Sequence, residues 1–131
     1  MLGYIDTSNG IPIYEQIVRQ VKFAIADGSL KVGENVPSVR DLASQLAVNP
    51  NTVARAYRDL QSLGLLLPIR GTGLAITSAA PKQCRKERLD LIRERLEAVL
   101  REAVMNGVSH EEIGDLVKSV LSDLPERSIE A

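Results

Sequence analysis

A chain of 131 residues is long enough for one ordinary domain, or for a head of about 75 residues with a small appendage, and too short for a two-domain enzyme. Hydrophobic residues at 44% and charged residues at 25% specify a chain that folds around a core, but three Tyr, one Phe and no Trp make that core aliphatic and leave no stacking platform for single-stranded nucleic acid. A net charge of -1 gives no overall attraction to a polyanion, so nucleic-acid affinity must come from a local basic surface; residues 1–78 carry seven Lys/Arg against six Asp/Glu, and residues 79–131 nine against eleven.

From Pro12 to Leu30, the residues Ile13, Ile17, Val21, Ala24 and Ile25 recur at three- and four-residue intervals and predict an amphipathic helix. Pro12 suits its first turn and Gly28 its end. Ser38 and Asp41 have the spacing of a capping box and open a short second helix with Leu42, Ala43 and Leu46 on its apolar face. About nine residues of helix are not stable alone in water, so this element must pack on neighbours. A tight connection at Ala47 and Val48 leads to Asn49-Pro50, a cap followed by a proline suited to the first helical position.

The third helix turns Val53, Ala56, Leu60 and Leu63 one way and Asn51, Arg55, Arg58 and Ser62 the other, so one face is core and the other is offered outward. Tyr57 borders the apolar face, where a core role and a phosphate-donor role are both open. Gly64 stops the helix, and the β-prone runs Leu65 to Ile69 and Leu74 to Thr77, separated by Arg70-Gly71-Thr72-Gly73, predict a hairpin. Pro68 confines its strand to an edge.

Residues 78–83 read as a linker, and a helical tail follows. Leu89, Ile92, Leu96, Val99, Leu100 and Ala103 form one apolar stripe ending at Asn106-Gly107. After a second capping box at Ser109 and Glu112, Ile113, Leu116, Val117, Val120 and Leu121 form another before Pro125. Two such helices cannot cover both stripes by packing on each other, so a second subunit is expected there, with Leu89, Ile92, Leu96, Val99, Ile113, Leu116, Val117 and Val120 at the contact. Gly114 marks a close helix crossing or is simply tolerated.

Two short helices joined by a minimal turn, the second apolar behind and polar in front, have the dimensions of a helix-turn-helix, in which one helix enters a major groove about 12 Å wide. Asn51, Thr52 and Arg55 lie on the first turns of the candidate recognition helix, Arg40 lies just inside the preceding one, and Arg70-Gly71-Thr72 forms the tip of a wing. The segments Pro12-Ile-Tyr-Glu-Gln-Ile17, Pro37-Ser-Val-Arg-Asp-Leu-Ala43 and Asn49-Pro-Asn-Thr-Val-Ala-Arg-Ala-Tyr57, continued by Gly64, Gly71 and Gly73, resemble the GntR family of bacterial regulators over roughly the first 78 residues. The short tail and the Asn-Pro-Asn-Thr opening are similar to its YtrA-like branch.

That resemblance implies a homodimeric repressor, often of a transporter operon or of its own gene, acting on a duplex operator with twofold symmetry. It implies DNA contacts at Ser38, Arg40, Asn51, Thr52, Arg55, Arg70, Gly71 and Thr72. Relatives often carry Arg where this chain has Pro50 and Ala54, which shifts base reading toward Asn51 and Thr52. Ala47 replaces a common Gly, and Leu66-Leu67-Pro68-Ile69 is unusually apolar for a wing. The loss of arginine and the apolar wing also fit a protein-interaction module that keeps the fold without operator specificity.

The expected fold class is therefore mostly α with a small β-hairpin: a winged helix-turn-helix over residues 1–78 and a two-helix dimerisation tail over residues 79–131. No nucleophile, base and orienting acid form a set, so no catalytic residue and no cofactor are expected. Cys84 stands alone, an incidental linker thiol, and His110 reads as an exposed residue near a cap, so no metal site is expected either. Lys82, Arg85, Lys86 and Arg88 oppose a helix dipole and read as a solvated face in preference to a phosphate contact. No apolar run approaches bilayer length and no leader pattern opens the chain, so a cytoplasmic location without a membrane partner is expected.

Overall fold

The computed structural model describes residues 4–126. Its elements run α1 (Ile13–Ala26), α2 (Val39–Leu46), α3 (Pro50–Ser62), β1 (Leu66–Ile69), β2 (Gly73–Ile76), α4 (Ala80–Met105) and α5 (His110–Asp123). This is the expected class, helical with one antiparallel hairpin. The chain divides into two compact units, Met1–Leu89 and Asp90–Ala131.

In the first unit α1 supplies Ile17, Val21, Ala24 and Ile25 to a core completed by Leu42, Val53, Ala56, Leu60, Leu65 and Ile76. The chain before α1 is tied down by one buried side chain. Gln16 accepts the Asp6 N–H at 2.9 Å and donates to the Asp6 and Ile11 carbonyls at 2.6 and 2.8 Å, so a buried amide is satisfied by the backbone it anchors.

Ser38 caps α2 by accepting the Asp41 N–H, and Asn49 caps α3 by accepting the Asn51 N–H at 2.8 Å with Pro50 in the first turn. Between them Ala47 adopts φ 55 and ψ 47, the one non-glycine residue with positive φ among those described. This left-handed cap lets α3 begin with only three residues between it and α2. Leu63, expected on the core face of α3, is instead its C-cap and 45% exposed, because the helix stops before completing that turn.

The hairpin pairs Leu66 with Ile76 at its base and Ile69 with Gly73 at its tip. The segment before α2 lines the other side of β2: Gly33 donates to Ile76, Ile76 to Glu34, and Val36 to Leu74. β1 is thus an edge strand, where the missing N–H of Pro68 costs no ladder bond.

The linker expected over 78–83 is helix from Ala80 onward. Ala80 and Cys84, one turn apart, are buried in the core of the first unit, and Lys22 of α1 pairs with Glu87 at 3.2 Å. Burial, with the Glu87 charge adding to it, raises the Cys84 thiol pKa to about 11, so Cys84 is a core residue and not a linker thiol. Among the described residues from Asp90 on, none is buried. α5 opens with a reciprocal Ser109–Glu112 capping box, and Gly107 closes the preceding turn at φ 84. Nothing lies within 4 Å of where a Gly114 side chain would stand, so no close crossing explains that glycine.

Candidate nucleic-acid interface

Three separate segments carry the residues expected to meet DNA, and a four-residue stretch, 35–38, holds all three. Ser38 ends that stretch as the N-cap of α2, with Arg40 exposed in the first turn beyond it. Tyr57 of α3 donates its hydroxyl to the Pro37 carbonyl at 2.7 Å. Asn35 donates its side-chain amide to the Thr72 carbonyl at 2.6 Å and bridges to Ala75, so it ties the wing tip to the start of α2.

Tyr57 is thereby resolved as a core residue, its ring 2% exposed and its hydroxyl occupied. Burial pushes that hydroxyl well above the usual tyrosine range, so it stays a neutral donor. Tyr57 positions the interface from the core, and Asn35 does so from the exposed loop before α2. Sequence reading passed over Asn35 because a polar residue in a Gly-Glu-Asn loop carries no periodic signal.

On the outer face of α3, Asn51 and Arg55 are exposed and Thr52 is partly covered. The Arg55 guanidinium lies 3.6 Å from the centroid of the Tyr14 ring on α1, a cation–π contact that ties this side chain of α3 to α1. Tyr14 is the second residue missed from sequence; its place just after the start of α1 fits a plain helical surface residue equally well. Arg70, Gly71 and Thr72 are all exposed at the hairpin tip, where Thr72 N–H closes the turn on Ile69. Arg40 and Arg70 enter no ion pair among the described residues, which leaves both charges uncompensated.

Elsewhere on α1 and α3 a shallow groove of about 400 Å³ is lined by Tyr14, Glu15, Val18, Asp59, Ser62 and Leu63. Its two carboxylates, Glu15 and Asp59, disfavour phosphate in that groove. The described residues contain no group of three His, Cys, Asp or Glu side chains able to hold a metal ion. No described helix is long and apolar enough to cross a membrane.

The unit boundary changes the electrostatics. Up to Leu89 the chain carries eleven Lys/Arg against seven Asp/Glu, and from Asp90 five against ten. The unit with the helix-turn-helix is therefore basic by four charges and the other acidic by five, a partition invisible when the chain is cut at residue 78.

The tail residues expected at a subunit contact are displayed rather than covered. Leu89, Ile92, Leu96 and Val99 on α4, and Leu116, Val117 and Val120 on α5, are all exposed, while Ile113 is half-buried. On the wing, Leu67 and Ile69 are exposed as well.

Residues 13–76 match the family model described as bacterial regulatory proteins, gntR family. Over 120 residues the chain is 35% identical to the HTH-type transcriptional repressor YtrA of Bacillus subtilis (strain 168), covering 92% of each. It is similar in structure to a GntR family transcriptional regulator from Listeria monocytogenes, with TM-score 0.67 and 34% identity across 88% of this chain and 98% of that one. AraR(DBD) in complex with operator ORE1 is similar at TM-score 0.50 and 27% identity, over 57% of this chain and 92% of that one.

Proposed function

Because the chain belongs to the gntR family of bacterial regulatory proteins and is a DNA-binding transcription regulator, we propose that it is a cytoplasmic homodimeric repressor of a transporter operon or of its own gene. Residues 1–78 form the DNA-binding head and residues 79–131 carry dimerisation. Two copies of α3 enter successive major grooves of an operator with twofold symmetry, about 34 Å apart along the duplex. Asn51 and Thr52 read base edges, Arg40 and Arg55 hold phosphate or guanine, Ser38 adds a hydroxyl contact, and Arg70, Gly71 and Thr72 grip the flank.

The observation that carries this reading is the tie of α2, α3 and the wing tip to residues 35–38, with Arg40 and Arg70, which have no ion-pair partner among the described residues, displayed on two of the elements so joined. The exposed tail stripes support the dimer. Selection of duplexes from a random pool yields an inverted repeat if the reading holds. On that site Arg40→Ala weakens binding by about 1–3 kcal/mol through a bidentate base contact, or lowers affinity evenly and flattens the salt slope by about one unit through a phosphate. Recovery of no preferred duplex from the pool removes operator recognition.

A further inference from the structure

Arg55 is the only cation between Pro50 and Tyr57, so the first two turns of α3 have no other charge to offer a polyanion. It stands exposed one turn beyond Asn51. Two carboxylates compete for it: Asp59 lies four residues further along the same helix, and Glu15 follows Tyr14 in α1. An acid four residues away on a helix is a natural ion-pair partner, and at that spacing Arg101 meets Glu97 at 2.8 Å in α4. Arg55 does otherwise. It enters no ion pair among the described residues, and its guanidinium sits over the Tyr14 ring instead.

The two outcomes differ in charge. A carboxylate cancels the charge of the arginine it binds, whereas a neutral ring holds the cation through its quadrupole and leaves that charge available to a phosphate backbone. Tyr14 is suited to the task because it is half-buried and packed against the core of the head, so the contacts that seat α1 also fix the ring. The same ring lines the shallow groove that contains Glu15 and Asp59, and Arg55 is not part of that lining. The cation is thus held on the ring and outside the acidic groove.

We propose that Tyr14 is a positioning residue for DNA binding: its ring withholds Arg55 from Asp59 and keeps the guanidinium charge available to the duplex. This rests on the reading of α3 as the recognition helix and adds how its one early cation is kept from neutralisation within the head.

Fluorescence anisotropy of the full chain tests this on the duplex recovered from the random pool and on a mixed-sequence duplex at low salt. The variants are Y14F, Y14L, D59N, R55A, Y14L/D59N and Y14L/R55A, each checked for native helicity. Y14F keeps the ring and should bind within about twofold of the parent, whereas Y14L should bind about three- to tenfold more weakly. Y14L/D59N should return to within about twofold of D59N alone, and Y14L should add nothing to the loss in R55A. Y14L that weakens binding equally with and without Arg55 acts through the fold of α1 and overturns the proposal, as does Y14L/D59N that stays as weak as Y14L. If R55A binds both duplexes as the parent does, the proposal falls while recognition by the other residues stands. A parent that binds neither duplex removes the DNA-binding reading itself. Should Y14L fail to fold, NMR decides: the ring current of Tyr14 should shift the Arg55 side-chain resonances upfield in the free protein and in the complex. Loss of that shift on adding duplex would mean that Arg55 leaves the ring to bind, which overturns the proposal.

Discussion

The two units of this chain use the same pattern of apolar residues and reach opposite outcomes. In the first, Ile17, Val21, Ile25, Val53, Leu60 and Leu65 are sealed between α1, α2, α3 and the hairpin. In the second, Leu96, Val99, Leu116 and Leu121 stand 49 to 64% exposed. Helical periodicity reports that a face favours leaving water, at about 25 cal/mol per Å² of apolar surface, but it does not say which surface will cover it. The head covers its apolar face within one chain, whereas the described tail leaves its stripes in water.

The sharpest way to break that contrast is to delete equal side chains from the two units. Leu60→Ala removes a fully buried side chain and is expected to lower unfolding free energy by about 2–5 kcal/mol. Leu96→Ala, measured by denaturant titration at concentrations dilute enough to hold the chain monomeric, is expected to cost less than about 0.5 kcal/mol. Comparable losses at the two positions would show that the tail already has a core of its own.

A charge in the tail stripe sharpens the same contrast from the other side. Leu96→Asp puts a carboxylate where the second copy is expected and should weaken self-association about a hundredfold, near 3 kcal/mol, while the head keeps its melting transition. Affinity for a duplex carrying a single half-site should be unchanged, and affinity for the full inverted repeat should fall. Loss of single half-site binding would mean that the tail shapes the head.

Much of the head was legible because its signals are local. Ser38, Asn49-Pro50, Gly64 and the Arg70-Gly71-Thr72-Gly73 turn are caps and breaks that act within a few residues, and each sits where the chemistry placed it. What sequence reading missed is long-range. Asn35 bonds Thr72 across 37 positions and Tyr57 bonds Pro37 across 20, and no period in the sequence encodes either. The start of α4 was missed for a related reason. Ser-Ala-Ala-Pro-Lys-Gln has linker composition, but Ala80 and Cys84 are small enough to fit against the head and Pro81 suits a first helical turn.

That docking makes the head sensitive to alkali at Cys84. Its pKa rises from 9.0 to about 11 on burial, so the thiol's contribution is intact below pH 9 and is lost as pH climbs toward 11, about 3 kcal/mol at most. Tyr57, also raised, adds its own loss from about pH 10 upward. In a pH series of thermal melts, Cys84→Ala should remove the portion beginning near pH 9. An identical decline in parent and variant would place the thiol outside the core.

The smallest expected effect lies in the turn of the helix-turn-helix. Ala47 holds a left-handed conformation in which its Cβ crowds the following carbonyl, at a cost of about 1–2 kcal/mol. Glycine relieves that crowding but gains freedom in the unfolded chain, so Ala47→Gly is expected to stabilise the head by only about 0.5–1 kcal/mol. The turn sets the angle between α2 and α3, and Ala47 is exposed and is not among the residues expected at the subunit contact. The gain should therefore appear in the melting of the head with dimer affinity unchanged. A destabilised Ala47→Gly would mean that the alanine's stiffness, and not its strain, governs the turn.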